Sequence, residues 1–344
     1  LVGERAAGLS GTLSACLRLR ARTGARLAWI PRRAGDRGAV EAGCLPNLLP
    51  GGRPLSDPAA RVDTQTTWGV ETLPSLEGRD ADEMLISAAD EELAALIVAG
   101  VDPSDFGDPQ AALEGLEAVK FVISLETRAS LVTERANVVF PVSLVHERAG
   151  SFVNWEGRSR PFDVVINQPN GLSDLRVLTV LADAMGADLG FRTPAQARAE
   201  LEELGRWDGQ RGPAPDYPAG LVSEPGSGAT TVVLATWRMA LDGSRAMDGE
   251  PFLQATAPAP VARLSPATAA AASIGERVVV GNDRGSLTLP AVLDETMVDG
   301  VVWIPGRAPG LEVPEHLAAG AGDLVRIYLP ADVLPMTDQE VAGE

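Results

Sequence analysis

The stretch Leu93-Ala94-Ala95-Leu96-Ile97-Val98-Ala99-Gly100-Val101 is a nearly continuous run of apolar residues ended by Asp102-Pro103. A short apolar run of this kind is typical of a strand in a parallel sheet, covered on both faces by helices. A helical pattern precedes it at 81–89, and a second begins after it at Pro109 and continues to Ala118. Strand and helix in alternation predict a parallel sheet with right-handed crossovers.

The same alternation continues through the first 200 residues. Further strands are predicted at 119–125 and 137–142, and further amphipathic helices at 173–185 and 194–204. Because the chain starts at Leu1 without an initiator Met, we treat residues 1–205 as an α/β domain truncated at its N-terminus.

The second part of the chain has a different character. Residues 206–230 are rich in Pro and Gly and predict a linker. Residues 231–330 contain short β-branched runs, including two that flank the turn Asn282-Asp283-Arg284-Gly285, which is a hairpin signal. We therefore predict a mainly β domain at 231–330, followed by a loose tail at 331–344.

Composition excludes several classes of function. The net charge of −18 argues against nucleic acid, because phosphate binding requires clustered Lys and Arg. Two cysteines, Cys16 and Cys44, are too few for an iron–sulfur cluster, which needs about four ligands. No run reaches the roughly 18 apolar residues that a membrane-spanning helix requires, so direct membrane insertion is not predicted.

The usual catalytic motifs are absent from the sequence. There is no phosphate-binding loop and no nucleophile elbow, and the two histidines, His146 and His316, stand apart from any metal-ligand pattern. Asp102, Asp105 and Asp108 recur at every third residue, whereas a calcium loop uses ligands at alternate positions with a Gly and a terminal Glu, so calcium binding is not predicted. Arg32, Arg33 and Arg37 could bind an anion or pair with local carboxylates, and the second interpretation is favoured.

One position does point to a ligand. Gly100 and Asp102 follow the apolar strand, and open α/β sheets bind ligands beyond the carboxyl ends of their strands. An Asp at this place could accept a hydrogen bond from a ribose or a base. It could equally cap the turn that Pro103 stiffens.

Several segments together resemble the molybdopterin oxidoreductase superfamily, over nearly the whole chain. Its "ADVVLP … E..GTF.N.EGR" segment is similar to 136–141 and 147–158, and its strand-end "GxDP" element to 97–103. Its barrel segments are similar to 234–238 and to 264–278. Within that superfamily, residues 30–54 look like the G subunit of the actinobacterial type of NADH:quinone oxidoreductase (complex I).

The resemblance implies a fold and a role. It implies an α/β domain followed by a six-stranded double-psi barrel of the molybdopterin-dinucleotide-binding type, in the C-terminal part of the large iron–sulfur subunit. We expect a structural, non-catalytic segment of the peripheral arm, on the cytoplasmic face of the membrane, with the other peripheral-arm subunits as partners. Iron–sulfur clusters are expected in the missing N-terminal part.

The resemblance also raises an alternative, the C-terminal half of a molybdenum enzyme such as a formate dehydrogenase. Gly100, Asp102, Thr236 and Arg238 would then contact a pterin dinucleotide. However, the family's Thr-Gly-Arg is here Thr236-Trp237-Arg238. A Trp where Gly normally allows close approach would crowd the dinucleotide, so we expect no cofactor, no metal and no catalytic residue in this segment.

Two aromatic residues of the best-matched motif, Phe152 and Trp155, are expected to be buried where the two domains meet. In the same motif Gly157 is expected to adopt a backbone angle that other residues resist.

Overall fold

The computed structural model describes residues 1–9, 11–168, 170–210 and 230–330. Its helices are, in chain order, α1 Glu4–Ala7, α2 Thr12–Thr23, α3 Asp36–Glu41, α4 Pro58–Trp68, α5 Ala81–Ala89, α6 Pro109–Ala118, α7 Leu131–Arg135, α8 Asp174–Ala184, α9 Pro194–Leu204, α10 Pro251–Gln254, α11 Pro266–Ala271 and α12 Val313–Leu317. Its strands are β1 Leu48–Leu49, β2 Arg53–Pro54, β3 Leu96–Ala99, β4 Val122–Glu126, β5 Val138–Pro141, β6 Gly150–Val153, β7 Ser159–Phe162, β8 Thr231–Trp237, β9 Ala262–Leu264, β10 Arg277–Gly281, β11 Ser286–Leu293, β12 Val301–Pro305, β13 Arg307–Ala308, β14 Leu311–Glu312 and β15 Leu324–Tyr328.

The described residues fall into two compact units. The first contains residues 1–4, 19–103 and 111–210, and the second contains 5–18, 104–110 and 230–330. Residues 211–229 of the predicted linker and the predicted tail at 331–344 lie outside the described residues. The predicted domain boundaries, 1–205 and 231–330, stay a prediction.

The first unit is built on a parallel sheet of three strands in the order β3-β4-β5. Ile97 lies opposite Ile123, which lies opposite Val138. Helix α8 packs against one face, where Val177 joins Ile123 in a small core. On the other face, Ala88 of α5 packs against Val122. The prediction of a parallel α/β unit is thus confirmed, with helices on both faces.

The prediction that the apolar run 93–101 is covered on both faces is wrong. Strand β3 is at the edge of the sheet, and its side chains alternate between partly buried and exposed, with Ile97 49% exposed. The fully buried strand is β4, which has a neighbour on each side. An apolar run shows that a strand is suited to burial, but pairing decides which strand is central.

Helix α4 was not predicted from the sequence, although the residues at its two ends are typical helix-start and helix-end residues. Asp57 accepts hydrogen bonds from the backbone N–H groups of Ala59 and Ala60, Pro58 occupies the first turn, and Gly69 ends the helix in the left-handed conformation. The apolar pattern between these residues is weak, so the periodicity gave no signal for this helix.

The hairpin β6–β7 contains the motif residues 150–162, and the expected burial of its aromatic residues is wrong. Phe152 is 38% exposed and stacks on Phe162 across the hairpin, and Trp155 in the connecting turn is 43% exposed. Gly157 has φ +81°, which confirms the expected left-handed backbone.

Because the indole of Trp155 is largely solvated, we expect Trp155→Ala to lower the free energy of unfolding by less than about 1 kcal/mol, well under the roughly 3–5 kcal/mol typical of a buried Trp. Urea unfolding of the purified protein measures the difference. A loss of about 3 kcal/mol or more, as expected for a core residue, would show that the ring packs against something beyond the described residues.

The second unit is built around a closed barrel of six strands in the order β10-β11-β9-β12-β8-β15. Two neighbouring pairs, β12 with β8 and β11 with β9, run parallel, and the other pairs run antiparallel. Strands β10 and β11 form the hairpin that 282–285 predicted. The interior is aliphatic, as the scarcity of aromatic residues requires, and includes the fully buried side chains Leu234, Leu264, Ile304 and Ile327.

Candidate functional site

The sequence-predicted site residues are divided between the two units. Gly100 and Asp102 belong to the first unit, whereas Thr236 and Arg238 belong to the second. Gly100 continues the pairing of β3, since its N–H donates to the carbonyl of Leu125, and it then turns the chain with φ +62°. Asp102 follows in the loop and is partly buried. This strand end therefore has the position that ligand sites of α/β sheets use, formed by a positive-φ glycine and a carboxylate.

Thr236, Trp237 and Arg238 lie at the carboxyl end of β8. The hydroxyl of Thr236 is buried and makes no hydrogen bond within the described residues. Gly306 approaches it so closely that a Cβ there would stand 3.0 Å from the hydroxyl oxygen. The next side chain, Trp237, packs on Trp303 with ring centroids 5.2 Å apart, and the guanidinium of Arg5 lies 4.8 Å above its ring. The Trp237 indole is therefore in contact with two of the protein's own side chains, while it stays 38% exposed.

Arg238 belongs to a network of charged side chains. Its Nη2 donates to Asp105 Oδ1 over 2.6 Å, and its Nη1 lies 4.0 Å from Asp242 Oδ2. Arg307 is also buried, and its Nη2 lies 2.8 Å from Glu312 Oε1 while its Nη1 lies 4.0 Å from Asp105 Oδ1. The guanidinium groups of Arg238 and Arg307 thus pair with the carboxylates of Asp105, Asp242 and Glu312, although Nη1 of Arg238 is buried and makes no hydrogen bond within the described residues.

Of the residues in this network, only Arg238 was predicted from the sequence to be a site residue. Asp105 was noted as one of three regularly spaced aspartates, but nothing in its surroundings linked it to an arginine 133 residues away. Arg307 and Asp242 carried no motif. Their pairing follows from the fold of the second unit, so only the structure shows it.

Two members of the aspartate series form ion pairs with arginines. Asp105 pairs with Arg238 and Asp108 pairs with Arg284. In the described ranges no group of three or more His, Cys, Asp or Glu residues is arranged to hold a metal ion. The arginines at 32–37 also pair with local carboxylates, Arg32 with Glu4 and Arg37 with Glu41.

The first unit contains an apolar cleft of about 930 Å³ that the sequence did not predict. Its walls include the half-exposed side chains of Trp68, Val70, Phe152 and Leu201. Burial raises the pKa of the Glu200 carboxyl at the cleft, opposed by a hydrogen bond with Trp68 and assisted by the charge of Glu203. The apolar side chains in its walls suit the binding of an apolar group.

The chain is similar to known proteins in sequence. The Molydopterin dinucleotide binding domain family matches residues 232–330, which contain the barrel. The G subunit of NADH-quinone oxidoreductase from Mycobacterium tuberculosis is 52% identical over 332 residues, covering 95% of this chain and 41% of that protein. The corresponding G subunit of Streptomyces coelicolor is 45% identical over 345 residues, covering 97% of this chain and 40% of that protein.

The predicted likeness to the G subunit of NADH-quinone oxidoreductase is confirmed. The chain spans about two-fifths of the length of these G-subunit relatives. Formate dehydrogenase H of Escherichia coli is also similar, at 28% identity over 170 residues, which cover 49% of this chain and 24% of that enzyme. Among solved structures, acetylene hydratase from Pelobacter acetylenicus aligns with a TM-score of 0.48 and 18% identity, covering 78% of this chain and 49% of that chain.

The likeness to the G subunit extends over both units, whereas the likeness to formate dehydrogenase H covers half of the chain. None of the described helices combines the length and the apolar character needed to cross a bilayer.

Proposed function

We propose that this chain is a structural, non-catalytic segment in the C-terminal part of a G subunit of NADH-quinone oxidoreductase. In this proposal it belongs to the peripheral arm at the cytoplasmic face of the membrane and binds the other subunits of that arm. The oxidation of NADH and the iron–sulfur clusters that carry its electrons reside in other parts of the complex. The barrel is a double-psi barrel that has kept the shape of an enzyme ancestor.

The observation that carries the proposal is that the residues at the end of β8 already contact the protein's own side chains. A pterin dinucleotide carries an anionic pyrophosphate, and anionic groups are bound by arginines with free donors. Arg238 is already hydrogen-bonded through Nη2 to Asp105, and its Nη1, which makes no hydrogen bond within the described residues, lies 4.0 Å from the carboxylate of Asp242. An anion placed there would meet the carboxylates of Asp105, Asp242 and Glu312, which outnumber the guanidinium groups of Arg238 and Arg307, so its charge would be opposed.

Trp237 supports the same conclusion on steric grounds. Its indole lies against Trp303 and under Arg5, so a flat ligand that stacked where either side chain lies would have to displace it. The residues at this strand end therefore do not fit a pterin dinucleotide, and no reaction step is assigned to one. Gly100 and Asp102, the other candidate contacts, then serve the turn after β3 rather than a cofactor.

The alternative is the C-terminal half of a molybdopterin-dependent oxidoreductase, which the partial likeness to formate dehydrogenase H favours. The two proposals differ in one measurable quantity, the metal and pterin content of the full-length protein. We expect the full-length protein, purified from its own cells, to contain no stoichiometric molybdenum, tungsten or pterin.

A formate dehydrogenase purified from the same cells is the control, because its metal content shows that the cofactor was available. One molybdenum or tungsten atom per full-length chain would refute the structural assignment. A full-length chain that never co-purifies with NADH-oxidising subunits would refute the placement in the peripheral arm.

A further inference from the structure

The end of α2 and the residues that follow it are strongly basic, although the chain as a whole is acidic. The chain contains 47 Asp and Glu residues against 29 Lys and Arg residues, yet residues 5–35 contain no Asp or Glu. This stretch contains an arginine cluster, which we define as the exposed residues Arg18, Arg20, Arg22 and Arg26. The sequence therefore places these positive charges where no carboxylate is close along the chain.

The arginine cluster is solvated and lacks internal partners. Every residue from 18 to 27 is exposed, and none of the four arginines forms an ion pair or a side-chain hydrogen bond within the part of the chain that the structure describes. Exposed arginines elsewhere do pair with carboxylates, for example Arg192 with Asp183 and Arg326 with Asp283. The four guanidinium groups therefore keep their donors available for another molecule.

Helix electrostatics explains only part of this arrangement. Arg20 and Arg22 lie in the last turn of α2, where cations interact favourably with the helix dipole. However, Arg18 and Arg22 are four residues apart on the helix, and like charges at that spacing repel each other. Arg26 lies beyond Gly24, where the backbone has φ +69°. The boundary between the two units falls directly after Arg18, which explains the exposure of this segment but not its charge.

Two exposed apolar side chains follow the arginines. Leu27 is 39% exposed and Trp29 is 38% exposed. The backbone at Trp29 is fixed by a bridge with Val2, whose N–H donates to the Ala28 carbonyl and whose carbonyl accepts from the N–H of Ile30. Arg and Trp are enriched at protein–protein interfaces and among the residues that contribute most to binding. The composition of this surface is therefore typical of a protein-binding site.

We propose that the arginine cluster, together with Leu27 and Trp29, binds an acidic polypeptide segment of another subunit of the peripheral arm. This rests on the proposed membership in a G subunit of NADH-quinone oxidoreductase. A guanidinium group binds a carboxylate through two parallel hydrogen bonds, and these arginines have such donors without displacing an internal partner. A segment rich in Asp or Glu therefore matches the cluster in charge and in hydrogen-bonding geometry.

The charge of the whole chain favours a protein over a membrane or a nucleic acid. With a net charge of −18, the chain would repel an extended anionic surface that approached the cluster. At physiological salt, exposed charges more than about 8 Å apart are largely screened from each other. A short acidic segment can therefore contact the cluster while its charges stay screened from the carboxylates elsewhere on the surface.

Carbodiimide cross-linking of the complex, purified from its own cells, tests the proposal. Carbodiimide joins a primary amine to a carboxylate in direct contact, so Arg18→Lys and Arg22→Lys keep the positive charge and introduce amines into the cluster. We expect mass spectrometry to find cross-links from positions 18 and 22 to Asp or Glu residues of another subunit. Arg176→Lys, at an exposed arginine of α8, is the control and should give none. Cross-links only within the same polypeptide, or none at all, would overturn the proposal.

Charge reversal is an independent test. Arg18→Glu combined with Arg22→Glu places carboxylates against the acidic segment, so we expect the tagged full-length chain to recover at least about tenfold less of the NADH-oxidising subunits at about 150 mM salt. Arg160→Glu combined with Arg176→Glu makes the same change of charge at two other exposed arginines and should leave the recovery within about twofold of the wild type. Equal recoveries for the two double variants would count against the docking surface.

Other partners are distinguished by the same variants. Binding of the purified full-length chain to phosphatidylglycerol vesicles or to DNA, if Arg18→Glu with Arg22→Glu abolished it, would assign the cluster to a membrane or a nucleic acid and overturn our choice. A chain that recovers the NADH-oxidising subunits regardless of these variants would refute the docking surface alone. A chain that never recovers them would refute the proposed function, so the two proposals fail in different ways.

Discussion

Ile304→Ala should lower the stability of the barrel by about 2–5 kcal/mol. Ile304 is 0% exposed and lies on β12, directly opposite Thr236 of β8, in a barrel core that is aliphatic. Its removal deletes buried methyl groups and leaves a cavity that closely packed neighbours fill only in part. Because the chain has two units, a single unfolding midpoint would mix their stabilities.

The measurement should therefore be specific to the barrel. Hydrogen exchange of the β12 and β8 amides across a urea series reports the opening free energy of that unit. Leu324→Ala is the control, because Leu324 is on barrel strand β15 but is 36% exposed, and its loss should be under about 1 kcal/mol. Similar losses for the two variants would contradict the assignment of Ile304 to the core.

The parts of this fold that could be predicted from the sequence are those determined by residues close together along the chain. Helices α5, α6 and α9 begin and end at the predicted residues, because caps, prolines and periodicity lie within each segment. The β10–β11 hairpin follows from the four-residue turn between two apolar runs, and Asn282 accepts hydrogen bonds from the N–H groups of Arg284 and Gly285 within it.

The errors concern relations between distant segments. Whether Ile97 is covered depends on a neighbour for β3, and whether Trp155 is buried depends on what the β6–β7 turn faces. Neither is encoded in the residues beside them. The candidate site shows the same limit, since Thr236 and Arg238 were found through a motif, whereas Asp105 and Arg307 enter only through tertiary pairing.

Arg307→Ala should destabilise the second unit by about 3 kcal/mol, the lower end of the range for breaking a buried ion pair. Arg307 is 7% exposed and compensates Glu312 and Asp105. Its removal would take the Arg307 guanidinium away from both carboxylates. Glu312 and Asp105 are partly exposed, at 24% and 20% of their side chains, so water recovers part of the loss.

The matched control is Arg326→Ala, an arginine on barrel strand β15 whose side chain is 57% exposed and whose partner Asp283 is 96% exposed. An exposed pair of this kind is worth about 0–1 kcal/mol, so the control should be nearly neutral in the same exchange measurement. Equal losses for the two variants would show that Arg307 is no more important to the fold than a surface residue.

The same arginine also distinguishes the two proposed functions. If an arginine served to bind an anionic cofactor, its positive charge would lack a partner when the cofactor is absent. Removing that arginine would then cost little stability, or would even stabilise the cofactor-free protein. Millimolar inorganic pyrophosphate would stabilise the wild type. If the arginine instead pairs with the protein's own carboxylates, its removal destabilises the protein, and pyrophosphate does not stabilise the wild type. A ligand that binds the folded state stabilises it by about 2.7 kcal/mol when the ligand concentration is roughly a hundred times its Kd. The exchange measurement would detect a change of this size. We expect no such stabilisation by pyrophosphate, because the carboxylates of Glu312 and Asp105 already pair with Arg307 and would repel the added anion.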